Sequence, residues 1–492
     1  MNPESPKTRS LLRNWLSFAG GVVALGSFFA FLLLSALDLF AHFRNPYVGI
    51  LAYVIAPGFL FLGLFMIFGG VWIQRRHARQ AAPNALPGVL AIDLSRPRDR
   101  RTLRIFIVCS VVFLLCTAIG SYQTYHLSES VQFCGQACHT PMKPEFTAYL
   151  NSPHARVACV ECHVGNGAKA FVAAKLNGVH QLVGVLTDHY QHPIATPIRN
   201  LRPAQETCEQ CHWPKKFDGN LDRTFSHFLS DETNTPFAVR LLLHVGGADP
   251  AHGPAGGIHW HVSKENKIEY IATDAKRQVI PWVRVTDAKG VVTVYKTPGF
   301  TNDPAQYQLR RMDCIDCHNR PAHRFRAPDD AVDLALTVGS IDRALPWVKS
   351  NAMAVLVKPY TTTPEALTNI DHTLRAVYSK SAEVDQLVTA VQTIYSQNFF
   401  PEMKADWRAY PENVGHKNWP GCFRCHDGSH KAVNSEKTIP ASNCTSCHTI
   451  VAQGAGDDLN KLNGKGDTFF HIDAEYENFD CNSCHTGGPM TQ

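Results

Sequence analysis

The chain has 492 residues, 45% of them hydrophobic and 18% charged, with 47 basic against 42 acidic side chains and a formal net charge of +5. That modest surplus traces to arginines near the N-terminus, so the composition gives no nucleic-acid signal. The informative residues are 16 cysteines and 24 histidines, because of how they are spaced.

Three stretches without a charged side chain come first, at 15–37, 45–74 and, taking His126 as neutral, 105–127. Each is long enough to cross a hydrocarbon core, which takes about 20 apolar residues. The first is too long for a signal peptide and is not followed by a small-residue cleavage site. Pro57, inside the second, is expected to kink it. Lys7, Arg9 and Arg13 precede the first span, and the loop between the first two carries only Arg44. The loop before the third carries Arg75, Arg76, Arg79, Arg96, Arg98, Arg100 and Arg101, with Arg104 at its end. The excess of positive charge places the tail and this second loop in the cytoplasm and everything from about Tyr125 outside it. Cys109 and Cys116 lie seven residues apart in the third span and read as small buried apolar side chains. His42 and His77 flank membrane segments.

Beyond the third span the cysteines follow one rule. Six C-x-x-C-H motifs occur, at Cys159/Cys162-His163, Cys208/Cys211-His212, Cys314/Cys317-His318, Cys422/Cys425-His426, Cys444/Cys447-His448 and, last, Cys481 and Cys484 with His485. A stretched copy, Cys134-Gly-Gln-Ala-Cys138-His139, precedes them. In this motif two thioethers fix a haem and the adjacent histidine reaches its iron. A disulfide framework does not explain a histidine after every second cysteine, and zinc sites need ligands in fours. The motifs therefore imply seven c-type haems and an electron-transfer function. Thioether attachment implies maturation outside the cytoplasm, in agreement with the orientation deduced from the arginines.

Along the exported part, the motif spacing gives two clusters, the first three and the last three motifs, with the fourth isolated between them. Residues 168–186 read as a helix with an apolar stripe at Val172, Leu176, Val179, Val183 and Leu186. Residues 237–245, 257–262, 268–273, 279–285 and 291–296 read as strands, the last two joined by the turn Asp287-Ala-Lys-Gly290. The region 329–398 reads as helical, with Thr363-Pro364-Glu365 as one helix start and Ser381-Ala-Glu383 as another. The expected fold is a multihaem cytochrome c with three N-terminal transmembrane α-helices, mostly α or irregular haem domains and a β-rich insertion. Its layout is a membrane domain at 1–127, a haem domain at 128–235, the β-rich insertion at 236–310, the fourth haem segment at 311–330, a helical insertion at 331–405 and a C-terminal haem domain at 406–492.

A low-spin haem needs a second axial ligand. The candidates outside the motifs are His154, His189, His192, His259, His261, His323, His416, His430 and His471; His259 and His261 flank Trp260 on a predicted strand and so share a face. His372, on a helix, reads as surface. The first haem differs: Met142 follows His139 by three, and a thioether ligand raises haem potential. The altered spacer could also move His139 off the iron, and Met142 could equally just pack on the haem edge.

The segment running from the third span through Cys134-Gly-Gln-Ala-Cys138-His139-Thr-Pro-Met142, Tyr149-Leu-Asn-Ser-Pro-His154 and Cys159-Val-Glu-Cys162-His163-Val-Gly resembles the NapC/NirT/NrfH family of membrane-anchored quinol dehydrogenases. The resemblance covers roughly 104–215. The longer layout, with three spans, seven haems and Gly257-Ile-His-Trp-His261, is similar to seven-haem inner-membrane cytochromes of the ImcH type. The family implies a quinol site beside the first haem, with a lysine from the helix after the second motif. Lys175 matches that position; Lys169, six residues earlier, points about 120° away. In the family an acidic residue follows this lysine, whereas here His180, Gln181 and Leu182 follow and the nearest acid is Asp188. The function implied is oxidation of menaquinol in the bacterial inner membrane, with the N-terminus cytoplasmic and the haem part periplasmic. Electrons would pass to periplasmic c-type cytochromes or a reductase in anaerobic or metal respiration. Two alternatives stand beside it. One is a haem-wire subunit of a larger respiratory complex. The other is a terminal reductase of nitrogen oxyanions, for which the usual C-x-x-C-Lys motif is absent.

Overall fold

The fold is described from a computed structural model. It covers residues 14–41, 55–80, 94–98, 100–101, 103–105, 107–108, 126–127, 129–136, 139–164, 168–197, 203–213, 217, 219–246, 256–441, 444–471, 479 and 481–487. The side chains of 32–41, 77–80, 139, 168–173, 175, 179 and 182 lie outside that description. The chain divides into two units, one of residues 1–130 and 163–183, the other of 131–162 and 184–492.

In the first unit two apolar stretches form the helices Trp15–Ala41 and Ala56–Gln80, packed antiparallel on each other. Small residues make the seam. A Cβ on Gly63 would stand 2.6 Å from the Ala24 nitrogen and 2.7 Å from the Gly20 carbonyl oxygen, so the backbones meet where side chains are missing. Ser17 Oγ adds a hydrogen bond to the Ile67 carbonyl at 3.2 Å. This close approach of small residues is how helices associate in lipid, where apolar burial gives no drive of its own. Phe61, Phe65 and Phe68 point outward, 70–74% exposed. Ala56–Arg76 is long and apolar enough to cross a membrane, and Trp15–Phe31 forms a shorter apolar helix. Pro57 does not kink the second helix; it sits in the first turn, where its missing N–H leaves no hydrogen bond unmade. Most of the third stretch, including Cys109 and Cys116, lies outside the described residues, as does His42.

In the second unit the short helices Val131–Gln136 and His139–Leu150 carry the stretched motif. Gly135 lies flat against the Phe146 ring, where any Cβ would collide, which explains a glycine inside that spacer. The helix Ala168–Leu186, most of which belongs to the first unit, has the predicted bounds.

Strands β1 (Leu221–Phe228), β2 (Pro236–Leu243), β3 (Lys267–Ile271), β4 (Trp282–Thr286), β5 (Val292–Lys296), β6 (Arg310–Arg311), β7 (Lys431–Ala432) and β8 (His448–Gly454) form two antiparallel sheets. Their orders are β1-β2-β8 and β6-β3-β4-β5-β7. The predicted turn is present, with Asp287 Oδ1 accepting from the Lys289 and Val291 amides and Gly290 at φ 78°. Residues 257–262 are not a strand: Gly257, at φ 63°, turns the chain into the 3₁₀ helix Ile258–Val262.

Four helices, Pro328–Thr337, Val348–Val357, Thr363–Val377 and Val384–Asn398, bury Val332, Val348, Ile370, Leu374 and Val391 in the main apolar core. Thr362, one residue earlier than expected, caps the third of these through the Glu365 amide. A smaller core under the five-stranded sheet brings Ile268, Tyr270 and Val283 against Cys425 and Trp260, so the sheet backs directly onto the fifth motif.

Candidate functional site

Histidine rings meet across chain-distant segments in a repeated geometry. His154 faces His212 with ring centroids 6.0 Å apart, His261 faces His426 at 5.8 Å, His416 faces His448 at 6.3 Å and His471 faces His485 at 6.1 Å. Two imidazoles bound to opposite sides of one metal ion have centres about 6 Å apart, given metal–nitrogen bonds near 2.0 Å. Each pair joins one motif histidine to one from outside the motifs. A fifth association is electrostatic: His318 acts on His259.

The 3₁₀ turn explains why His259 and His261 serve different partners. At three residues per turn, positions i and i+2 lie about 120° apart, whereas a strand would have put both on one face. One ring therefore turns toward the fourth motif and the other toward the fifth.

The ring nitrogens are oriented by the backbone. Nδ1 of His154 meets the Pro321 carbonyl at 3.1 Å, that of His259 the Val245 carbonyl at 3.2 Å, that of His261 the Ile258 carbonyl at 2.8 Å and that of His426 the Pro440 carbonyl at 2.8 Å. A proton held on Nδ1 leaves Nε2 as the free lone pair, the usual arrangement of a metal-binding histidine. Burial, the largest effect at each, lowers the pKa of His259, His261, His318, His448 and His485. These rings are thus neutral at pH 7, as ligation requires.

Three of the other candidates, His430, His189 and His192, stand elsewhere. His430 is buried with both nitrogens engaged, Nδ1 on Asp427 at 2.9 Å and Nε2 on the Ile280 carbonyl at 2.7 Å, which leaves no lone pair for iron. His189 is exposed with Nδ1 on the Thr187 carbonyl, and exposed His192 packs on Tyr190. Among the described residues neither meets a motif histidine. His323 holds Nδ1 on the Glu145 carbonyl at 2.9 Å. Met142 is half-buried on the helix His139–Leu150, three residues after His139. His163 ends the helix Cys159–His163. Cys138 and the side chains of His139 and Lys175 lie outside the described residues.

The motif cysteines are consecutive neighbours. Cys134 and Cys159 are within hydrogen-bond reach of each other, as are Cys208 and Cys314. Cys162 is in electrostatic contact with Cys208 and Cys211, Cys317 with Cys422, and Cys422 with Cys447. Cys444 is exposed at the start of a short 3₁₀ turn that ends before Cys447. In the last motif Cys481 and Cys484 are both half-buried, at the two ends of a single helical turn. The His485 amide closes that turn on the Cys481 carbonyl at 2.7 Å, so Cys484 and His485 leave it together. The link to this motif that the structure shows runs through histidine and lysine. Lys417, next in the chain to His416, acts on His485. The fourth motif, isolated in sequence, therefore touches both the third and the fifth. A cavity of about 470 Å³ opens beside His426, walled by Ile280, Pro281, Phe423 and Asn482. Paired neutral imidazoles, adjacent cysteines and this partly apolar cavity all fit the group the motifs imply.

Two clusters were not foreseen. Asp316, inside the fourth motif, is buried and accepts from Tyr270 Oη at 2.7 Å, Arg310 Nε at 2.7 Å, the Asp313 amide at 2.8 Å and an Arg277 nitrogen at 3.3 Å. It pins the motif to β3 and β6. Asp333 joins His227 Nδ1 at 3.0 Å to the buried Lys349 Nζ at 2.6 Å. The acid at the x position of Cys314-Ile-Asp-Cys317 was a readable signal for the first cluster; nothing local marked the second.

Residues 96–196 match the model of the NapC/NirT cytochrome c family, N-terminal region. The chain is 42% identical over 499 aligned residues to the cytochrome c-type protein ImcH of Geobacter sulfurreducens, covering 97% of this chain and 96% of that protein. It is 29% identical over 118 residues to the cytochrome c-type protein NrfH of Wolinella succinogenes, covering 22% of this chain and 66% of that protein. No solved structure matches.

Proposed function

We propose a menaquinol-oxidising role for this chain, which belongs to the NapC/NirT cytochrome c family in its longer, ImcH-like form. Membership makes it a membrane-anchored multihaem c-type cytochrome that carries electrons. The finer reading is that menaquinol is oxidised at the periplasmic side of the inner membrane, beside Cys134/Cys138-His139, and that electrons leave to periplasmic c-type cytochromes or a reductase. Seven haems, one per motif, are proposed, with three spans and a cytoplasmic N-terminus. Bound haem supplies one-electron redox chemistry, so a two-electron donor is emptied in two steps.

The observation that carries the reading is the row of neighbouring motifs, which needs an entry at one end and an exit at the other. The residues have distinct tasks. His154, His259, His261, His416 and His471 would complete the irons of the third to seventh motifs with Nε2. His139, or Met142 three residues after it, would hold the iron of the first motif. Lys175, on the helix after the second motif, would donate a hydrogen bond to a quinol oxygen, and protons would leave to the periplasm.

The test mixes detergent-purified full-length protein with a reduced menaquinol analogue and follows haem absorbance. Reduction slowed tenfold or more in Lys175→Ala is the expected result. No reduction at all, with Lys175→Ala behaving as the wild type, would refute the role.

A further inference from the structure

A second cavity, of about 230 Å³, lies on the segment just past the fourth motif, with His318, Arg320, Arg324, Arg326 and Glu412 in its wall. Three guanidinium groups there face one carboxylate. Arg320 is fully engaged: it bonds both Glu145 oxygens at 3.1 and 3.2 Å, donates Nε to the His323 carbonyl at 2.7 Å and stacks 4.3 Å from the Tyr410 ring centre. Arg324 holds Glu412 at 2.6 Å and approaches Asp330 at 3.6 Å. Arg326 uses its backbone amide on Asn398 Oδ1 at 2.8 Å, but among the described residues its half-buried guanidinium makes no hydrogen bond or ion pair.

A guanidinium has five donors in a fixed fork that matches a carboxylate, and those of Arg326 are committed to no acceptor among the described residues. The surroundings are short of negative charge. Burial and then Arg324 pull the Arg326 pKa down, outweighing Asp330 and Glu412, and burial pushes the Glu412 pKa up. The cavity is smaller than the roughly 300–1,000 Å³ of a pocket for a whole small molecule, so it suits a side arm. His318 in the same wall ties it to the group carried by Cys314 and Cys317.

We propose that Arg326 binds a carboxylate, the propionate arm of the haem held by Cys314, Cys317 and His318. The inference rests on the haem reading of that motif and is independent of the electron donor. Its consequence is that a fixed positive charge stays beside the one haem that joins the first three to the last three, favouring its reduced form.

The test is an EPR-monitored redox titration of full-length, haem-loaded Arg326→Gln and Arg326→Lys, with haem content measured on the same samples as a separate check of the motif. One component should fall in Arg326→Gln by about tenfold in its reduction equilibrium, or about 59 mV for one electron, and Arg326→Lys should retain most of the wild-type value. Unchanged midpoints in Arg326→Gln overturn the proposal. So does a saturable shift of wild-type midpoints on adding acetate that Arg326→Gln abolishes, because the cavity then takes a soluble anion. Should Arg326→Gln lose the haem, Glu412→Gln decides: a rise in the same component supports the charge assignment, and no movement contradicts it.

Discussion

His261 and His430 are both buried histidines near the fifth motif, yet their nitrogens separate them. His261 has Nδ1 on the Ile258 carbonyl and its ring 5.8 Å from that of His426, whereas His430 has Asp427 on one nitrogen and Ile280 on the other. His261→Ala should convert one low-spin EPR signal to high-spin with haem content unchanged. His430→Ala should leave every low-spin signal in place and cost about 1–3 kcal/mol in a thermal or denaturant melt, from the Ile280 carbonyl left without its donor inside the fold. Identical EPR changes in the two variants would contradict the assignment. Asp316→Ala strands two arginines and a tyrosine hydroxyl, and should destabilise the fourth motif by about 3–5 kcal/mol, seen as early loss of one haem signal on heating. The motif residues were legible in sequence because their spacing is their chemistry. The second ligands were not, since the partner of His426 lies 165 positions upstream at His261 and only tertiary structure unites them. Arg326 was invisible for the same reason: its interest lies in what the fold withholds from it.

Periodicity decided which elements could be read. The helix Ala168–Leu186 has an apolar stripe at helical spacing and was found to the residue. The segment Gly257–His261 alternates like a strand, but positive φ at Gly257 starts a 3₁₀ turn instead. β1 has no alternation, being exposed over its first five positions, and β8 begins at a motif histidine, so both were missed. In β3, Glu269 shows a cross-strand effect of charge. Burial alone would raise its pKa, but Lys267 at 2.8 Å and Arg284 at 2.6 Å outweigh that and hold it below the usual range. A depressed folded pKa adds stability above the unfolded value of about 4.3, and that stability is lost as pH falls through the folded pKa. Glu269→Gln should therefore flatten the acid limb of a stability–pH curve; an unchanged limb would contradict the pairing. In the membrane pair, Gly63→Val has no room at the seam and should lower stability in detergent by about 1–3 kcal/mol, read as a lower melting midpoint. Gly21→Val, with open space around it, should not.

For the whole molecule, sequence spacing suggested two groups of motifs and a gap, whereas folding closes the gap. The β-rich and helical insertions are long in sequence, but the sheet under Cys425 and the Asp316 cluster bring the fourth motif between the third and the fifth. Among the described residues the fourth motif neighbours both the third and the fifth, and the account therefore routes electrons from the first group of motifs to the last through it. The decisive measurement removes that site by Cys314→Ser with Cys317→Ser and follows the haems proposed for the six remaining motifs spectroscopically. A menaquinol analogue should reduce the first three and leave the last three oxidised, while dithionite reduces all six. Reduction of all six by the quinol at the wild-type rate would contradict the account.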